Sequence, residues 1–373
     1  MPGARRDSVA FTVLVTVLVI GGAAVMLLVI ALSGAPRTLL LATALAALPV
    51  VPLVGCYLWL DRYEPEPRRL LLMGLLWGGF VATAAAILVQ GVGGLVAGFT
   101  EEASLAVVAP VTEELFKGAF LVLLLWWRRA ELDGVLDGIV YAGMVGVGFA
   151  FTENILYLAA AYNGTDGTAP GGTEALTATF VLRCLFSPFA HPLFTTFTGI
   201  GVGLAVGSRS SAVRLLAPVA GYAVAVVAHG LWNGATIFGL GSFALVYVVL
   251  MLPALLGLAW LAVWARTSER RMLATALGDA ARRGLIPGTD IGWVVDLRAR
   301  RLARAHARVQ GGPDAERAMR DYQQAAIELG FLHHRFLRGT PPPDFAARGQ
   351  DYVARIGAVR PSIAFPGQVV PTR

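Results

Sequence analysis

Apolar residues fill the first 265 positions of this chain in long runs, and short polar turns separate them. Eight runs have the about 20 residues that a helix needs to cross a bilayer. They are 9–33, 38–60, 70–99, 103–127, 134–160, 177–207, 213–239 and 242–265. The first, beginning at Val9, is too long for a signal-peptide core and reads as a membrane helix. Beyond 265 the rhythm changes. Segments 268–284, 290–311 and 313–337 interleave Arg, Ala, Leu and acidic residues at helical spacing. Gly312–Pro313 and Pro341–Pro343 punctuate them. The pattern predicts an all-α polytopic membrane protein. About eight transmembrane helices form residues 1–265, and a basic helical region forms 266–373.

Composition agrees with this class. The chain is 56% hydrophobic and 14% charged, with a mean hydropathy of +0.67. No soluble domain of 373 residues hides that much apolar surface. The net charge of +6 is unevenly placed. Residues 266–373 carry a net +8 and residues 1–265 a net −2, so the basicity belongs to the tail. With the N-terminus in the cytoplasm, the loops before 265 hold nine arginines inside and only Arg37 outside. That bias predicts a multi-pass plasma-membrane protein with both termini cytoplasmic. Cys56 and Cys184 lie in apolar runs and read as packing residues. His306, His333 and His334, in the tail, lack metal spacing and read as solvated. Gly143–Gly148 follows no strand and reads as a helix-packing stretch. Nothing points to nucleic acid.

The chemistry lies in ionisable residues inside the apolar runs. A charge at the bilayer centre costs about 2.5–3.5 kcal/mol on insertion scales. Yet Glu113, Glu114 and Lys117 share one run, Glu153 and Asn154 the next, and His191 and His229 the two after. Lys117 follows Glu113 by four residues and Glu114 by three, so it neighbours both on a helix. It can neutralise one carboxylate and leave the other as a base or ligand. Glu153 has no basic residue close in its own helix, so it needs a proton, a cross-helix partner or a cation. Asn233, four residues after His229, can orient it or hold an oxyanion. Arg183 pairs with a carboxylate or snorkels outward; the sequence leaves both open. Phe149 reads as packing. At 1.5 Å per residue, Glu113, Glu153, His191 and His229 lie about 15, 10, 20 and 15 Å below the outer ends of their helices. Four helices of alternating direction thus place their polar residues in one layer.

At these residues the chain resembles the PrsW family of membrane proteases. The carriers are Glu-Glu-x-x-Lys at 113–117, Phe-x-x-x-Glu-Asn at 149–154 and the intramembrane His191 and His229, in that order. The loop Asp61–Pro67 looks like the family's cytoplasmic loop, and the resemblance covers roughly residues 40–240. The family is distantly similar to CAAX-type prenyl-protein proteases and bacteriocin-immunity proteins, whose His-x-x-x-Asn matches His229 and Asn233. The resemblance implies cleavage of membrane-anchored proteins, with anti-sigma factors as the archetypal substrate. It also implies a metallopeptidase site set of Glu113, Glu114, Glu153, His191 and His229. The zinc spacing His-Glu-x-x-His is absent.

The resulting expectation is a peptidase. Glu113 or Glu114 is the general base, tuned by Lys117. His191, His229 and Glu153 bind Zn²⁺ or polarise the water directly, with Glu113 or Glu114 as a further candidate ligand. Asn154 or Asn233 steadies the oxyanion. The tail is expected to be dispensable for chemistry. The rivals are a proton- or cation-coupled transporter and a catalytically dead immunity or interaction protein. Transporters often carry matching broken helices in two halves, whereas here helices one to three have no counterpart of the polar set.

Overall fold

The computed structural model describes residues 2–63, 65–165 and 170–367. Glu64, within the Asp61–Pro67 loop, and residues 368–373 of the tail lie outside the described residues. The described chain is helical, and it divides into two compact units. The first comprises the residues up to Asp61 and Glu66–Ala262; the second comprises Arg62–Pro65 and the chain from Val263.

Eight long helices carry the apolar runs. They are α1 (Val9–Leu32), α2 (Pro36–Leu60), α3 (Arg68–Ala97), α4 (Ala109–Trp127), α5 (Val135–Asn163), α6 (Thr173–Gly207), α7 (Ser211–Ile237) and α8 (Leu240–Arg282). Seven of them have both the length and the apolarity to cross a membrane. The remaining one, α4, differs by holding Glu113, Glu114 and Lys117. A π-helical turn, Ser104–Val108, leads into it from the cap at Thr100, whose hydroxyl accepts the Ala103 N–H at 3.2 Å.

The first unit is built around α5. Of its most apolar window 89% is buried, against 11% for α1, α2, α7 and α8, so α5 is the central helix and those four are peripheral. Their outward faces, with Val17, Leu27, Leu215 and Val249 exposed, suit lipid and would be a liability in water. Cys184 is packed in the core and Cys56 is exposed, and neither is in a disulfide.

Close approach of α5 to its neighbours depends on glycine. A Cβ on Gly148 would lie 1.9 Å from the Leu75 carbonyl oxygen of α3, and one on Gly146 would lie 2.5 Å from Pro192 Cα of α6. Backbone atoms cannot rotate away as a side chain can. Gly148→Val should therefore lower stability by on the order of 1–3 kcal/mol or more, read as a drop in Tm of the detergent-solubilised protein. A wild-type Tm would contradict this packing.

The second unit has its own core, including Leu273, Leu277, Met319, Tyr322, Phe331, Ile356 and Phe365. Its helices are the end of α8, a short helix Ile291–Val295, α9 (Leu297–Leu337) and α10 (Phe345–Val359). Non-helical Gly311 and Gly312 kink α9, with Gly312 at φ +69°. Asp290, fully buried, accepts the Tyr322 hydroxyl at 2.6 Å and the Arg360 guanidinium at 2.5 and 3.1 Å. Asp296 caps α9 by accepting the Arg298 and Ala299 N–H groups, and the Ala299 bond contributes most to holding its carboxyl below the usual range. His333 departs from the solvated role expected for it. It is buried, with Nε2 2.8 Å from Asp279 Oδ2, because a fold brings together residues 54 positions apart.

Candidate active site

Glu113, Glu114 and Lys117 lie on the buried face of α4, and Lys117 is fully enclosed. Its ammonium is 2.8 Å from Glu114 Oε1, 3.4 Å from Glu113 Oε2 and 3.1 Å from His191 Nδ1 on α6. It also lies 3.7 Å from the centre of the Phe149 ring of α5. A cation buried among two carboxylates, an imidazole and a π face has the partners such burial requires.

The two carboxylates have different surroundings. Glu114 is held on three sides. Beyond Lys117, its Oε1 is 3.0 Å from His229 Nδ1 of α7, and its Oε2 accepts the Thr195 hydroxyl of α6 at 3.0 Å. Glu113 is held loosely, at 3.4 Å from Lys117 and 3.8 Å from His229 Nε2.

Each histidine has one nitrogen committed to a carboxylate. His229 offers Nδ1 to Glu114, which leaves the Nε2 lone pair toward Glu113. His191 offers Nε2 to Glu153 Oε2 at 2.6 Å. Lys117 is only a donor, so His191 Nδ1 accepts and Nε2 carries the proton. Both carboxylates have a cation of their own: Lys117 on Glu114, and Arg183 on Glu153. Two cation–carboxylate–imidazole chains thus converge. The rings meet edge-on with centroids 5.2 Å apart, and Phe194 stacks on His229 at 4.7 Å.

One ligand atom each from Glu113, His191 and His229 lies within 4.8 Å of the others, and all three residues are buried. One carboxylate and two imidazoles form a known three-ligand set for catalytic zinc, with a position left for water. The outer carboxylates on both rings supply the orienting bonds that metal-ligating histidines usually have. The Lys117 ammonium lies against two of these three residues, so a metal on His191 Nδ1 would take over the lone pair that now accepts from Lys117. The residues present therefore fit a divalent metal. Glu153, expected as a ligand, lies one bond further out, because its carboxylate faces His191 Nε2 and Arg183.

The asparagines also separate. Asn233 donates its amide to the Leu105 carbonyl at 3.1 Å, tying α7 to the turn before α4. Asn154 accepts from Arg183 Nε at 2.8 Å through its carbonyl oxygen, which leaves its N–H₂ for the cavity beside it. That cavity, about 20 Å³, is lined by Glu153, Asn154, Arg183, Ser187, His191 and Asn233 among others. It is polar and has room for one water. A larger open groove of about 760 Å³ follows Thr173–Phe186 of α6, is almost wholly apolar, and holds none of this cluster.

Thr195 and Phe194 were not singled out from the sequence. They follow His191 by four and three residues, the spacing that puts them on its face. Phe149, read as packing, touches both Lys117 and His191, with its ring 5.0 Å from the imidazole.

A family model described as PrsW family intramembrane metalloprotease matches residues 66–258, a stretch that contains the whole cluster. The chain is 33% identical over 159 residues to a protease PrsW of Geobacillus kaustophilus, covering 42% of this chain and 63% of that protein. It is 30% identical over 139 residues to a protease PrsW of Oceanobacillus iheyensis, covering 37% and 56%. The matches thus span less than two thirds of either relative's own length. No solved structure matches the chain. With more than half of its residues matched, the chain belongs to the PrsW family of intramembrane metalloproteases.

Proposed function

We propose that this protein is an integral-membrane endopeptidase that cleaves membrane-anchored proteins with water activated at Glu113. The observation that carries the reading is the buried convergence of Glu113, His191 and His229. Glu113, His191 and His229 would hold the metal, and Zn²⁺ is the ion we assign. When bound, it supplies Lewis acidity and lowers the pKa of water.

The remaining steps belong to the side chains. Glu113, the carboxylate with the loosest partners, takes a proton from water as the water oxygen bonds the scissile carbonyl carbon, and delivers that proton to the leaving amine as the peptide C–N bond breaks. Glu114 positions His229, and Lys117 with Thr195 fixes Glu114. The Asn154 N–H₂ would steady the oxyanion, a role supported by the Arg183 bond that engages its carbonyl oxygen. Asn233 acts through the backbone of the preceding turn and not directly on substrate.

The arginine asymmetry supports cytoplasmic termini and a site in the outer half of the membrane. Backbone in a lipid-embedded helix is already hydrogen-bonded, so the cut falls where the substrate's helix ends. A single-span regulator such as an anti-sigma factor is the substrate class we assign. Residues 1–265 form the catalytic domain, and 266–373 a cytoplasmic region that the chemistry does not use. Its net +8 attracts anionic lipid at about 1 kcal/mol per basic residue near the surface.

The metal assignment is tested by dialysing the purified protein against a chelator and measuring peptide release from a single-span reporter in proteoliposomes. Release should stop and return with stoichiometric Zn²⁺. Unchanged release from metal-free protein would refute the metal role.

A further inference from the structure

Arg183 lies seven residues into the membrane run 177–207, away from its ends, and its place needs an explanation. Eight residues separate it from His191, which on a regular α-helix puts the two side chains about 80° apart. The helix is not regular there. Val181–Phe186 is a π-helical turn, and Ser187 closes it with N–H and hydroxyl bonds to the Leu182 carbonyl at 3.0 and 2.7 Å. Pro188 follows. The wide turn and the break take up the offset, so Arg183 and His191 meet the same oxygen, Glu153 Oε2.

Three contacts in all fix the guanidinium. Its Nη2 bonds Glu153, its Nε donates to Asn154 Oδ1 at 2.8 Å, and its plane lies 3.9 Å from the centre of the Tyr157 ring. A counter-charge alone requires only the first of these. The fork to Glu153 and its neighbour Asn154, with the aromatic face behind it, fixes a direction as well as a charge.

We propose that Arg183 is a positioning residue of the metal site. It holds the Glu153 carboxylate so that it accepts the His191 Nε2 proton, and it thereby aims His191 Nδ1 at the ligand cluster. The proposal rests on the metal reading above. It makes Glu153 and Arg183 one unit and gives α5 and the π turn of α6 a share in metal affinity.

The test is Zn²⁺ affinity, measured by competition with a chromophoric chelator on the full chain in nanodiscs, with Tm recorded for each protein. Arg183→Gln and Glu153→Gln should each weaken Zn²⁺ binding by about 10–100-fold, the usual effect of removing an orienting partner. The double variant should be no weaker than the worse single one, because both changes break the same chain. Arg183→Lys keeps the charge and loses the fork, so it should fall between wild type and Arg183→Gln. If Arg183→Gln does not fold, Arg183→Lys decides. Wild-type affinity in Arg183→Lys and, where it folds, Arg183→Gln overturns the proposal. So does a double variant whose loss is the product of the two single losses. A wild-type protein that binds no Zn²⁺ refutes the metal reading itself and this proposal with it.

Discussion

Replacing Glu113 by Gln should abolish most turnover while leaving the protein folded. Its carboxylate lies 3.4 Å from Lys117 and 3.8 Å from His229, both long for an ion pair, so little stability depends on its charge. General acid–base groups contribute about 10²–10⁴-fold, and a loss of at least that size is expected in kcat. Glu114→Gln should behave differently, although the two residues are adjacent. Glu114 bonds Lys117, His229 and Thr195, so its loss should lower Tm, whereas Glu113→Gln, which alters a proposed ligand, should weaken metal binding and turnover without that fall in Tm. Paired measurements of kcat and Tm separate the roles. Equal effects of the two substitutions would mean that the cluster does not distinguish base from support.

Lys117→Met should be the most damaging single change to stability. The ammonium is wholly buried and lies within 3.4 Å of both carboxylates and 3.1 Å of His191 Nδ1. Removing one partner of a buried pair costs about 3–5 kcal/mol, because the charge left behind has no water to face. Methionine keeps the volume and the contact with Phe149 but not the charge. The check is unfolding of the reconstituted protein by denaturant. A midpoint within error of wild type would show that Glu113 and Glu114 do not depend on Lys117.

The architecture was legible in the sequence because a bilayer imposes a length and an apolarity that few other folds share. The candidate site was legible for the complementary reason. Glu113, Glu114, Glu153, His191 and His229 stand out where charge is costly. What could not be read was the division of labour among them. Beyond its closer bond to Lys117, Glu114 differs from Glu113 through Thr195 and His229, which lie 81 and 115 positions away. Glu153 reads as a ligand until Arg183 is seen on the same oxygen, and a π turn hides that pairing from any count at 3.6 residues per turn. The tail holds a similar case in His333, which reads as solvated yet lies buried beside Asp279, 54 positions away. Buried Asp290 likewise bonds Tyr322 and the part-buried Arg360, which lie 32 and 70 positions away.

The central claim is that this buried Glu/His cluster hydrolyses a membrane-anchored protein. The most direct measurement is mass-spectrometric mapping of new termini on a single-span substrate reconstituted with purified wild type, Glu113→Gln or His229→Ala. One cleavage near the outer end of the substrate helix is expected with wild type and none with either variant. Identical products from all three proteins, or no product from wild type with Zn²⁺ supplied, would contradict it.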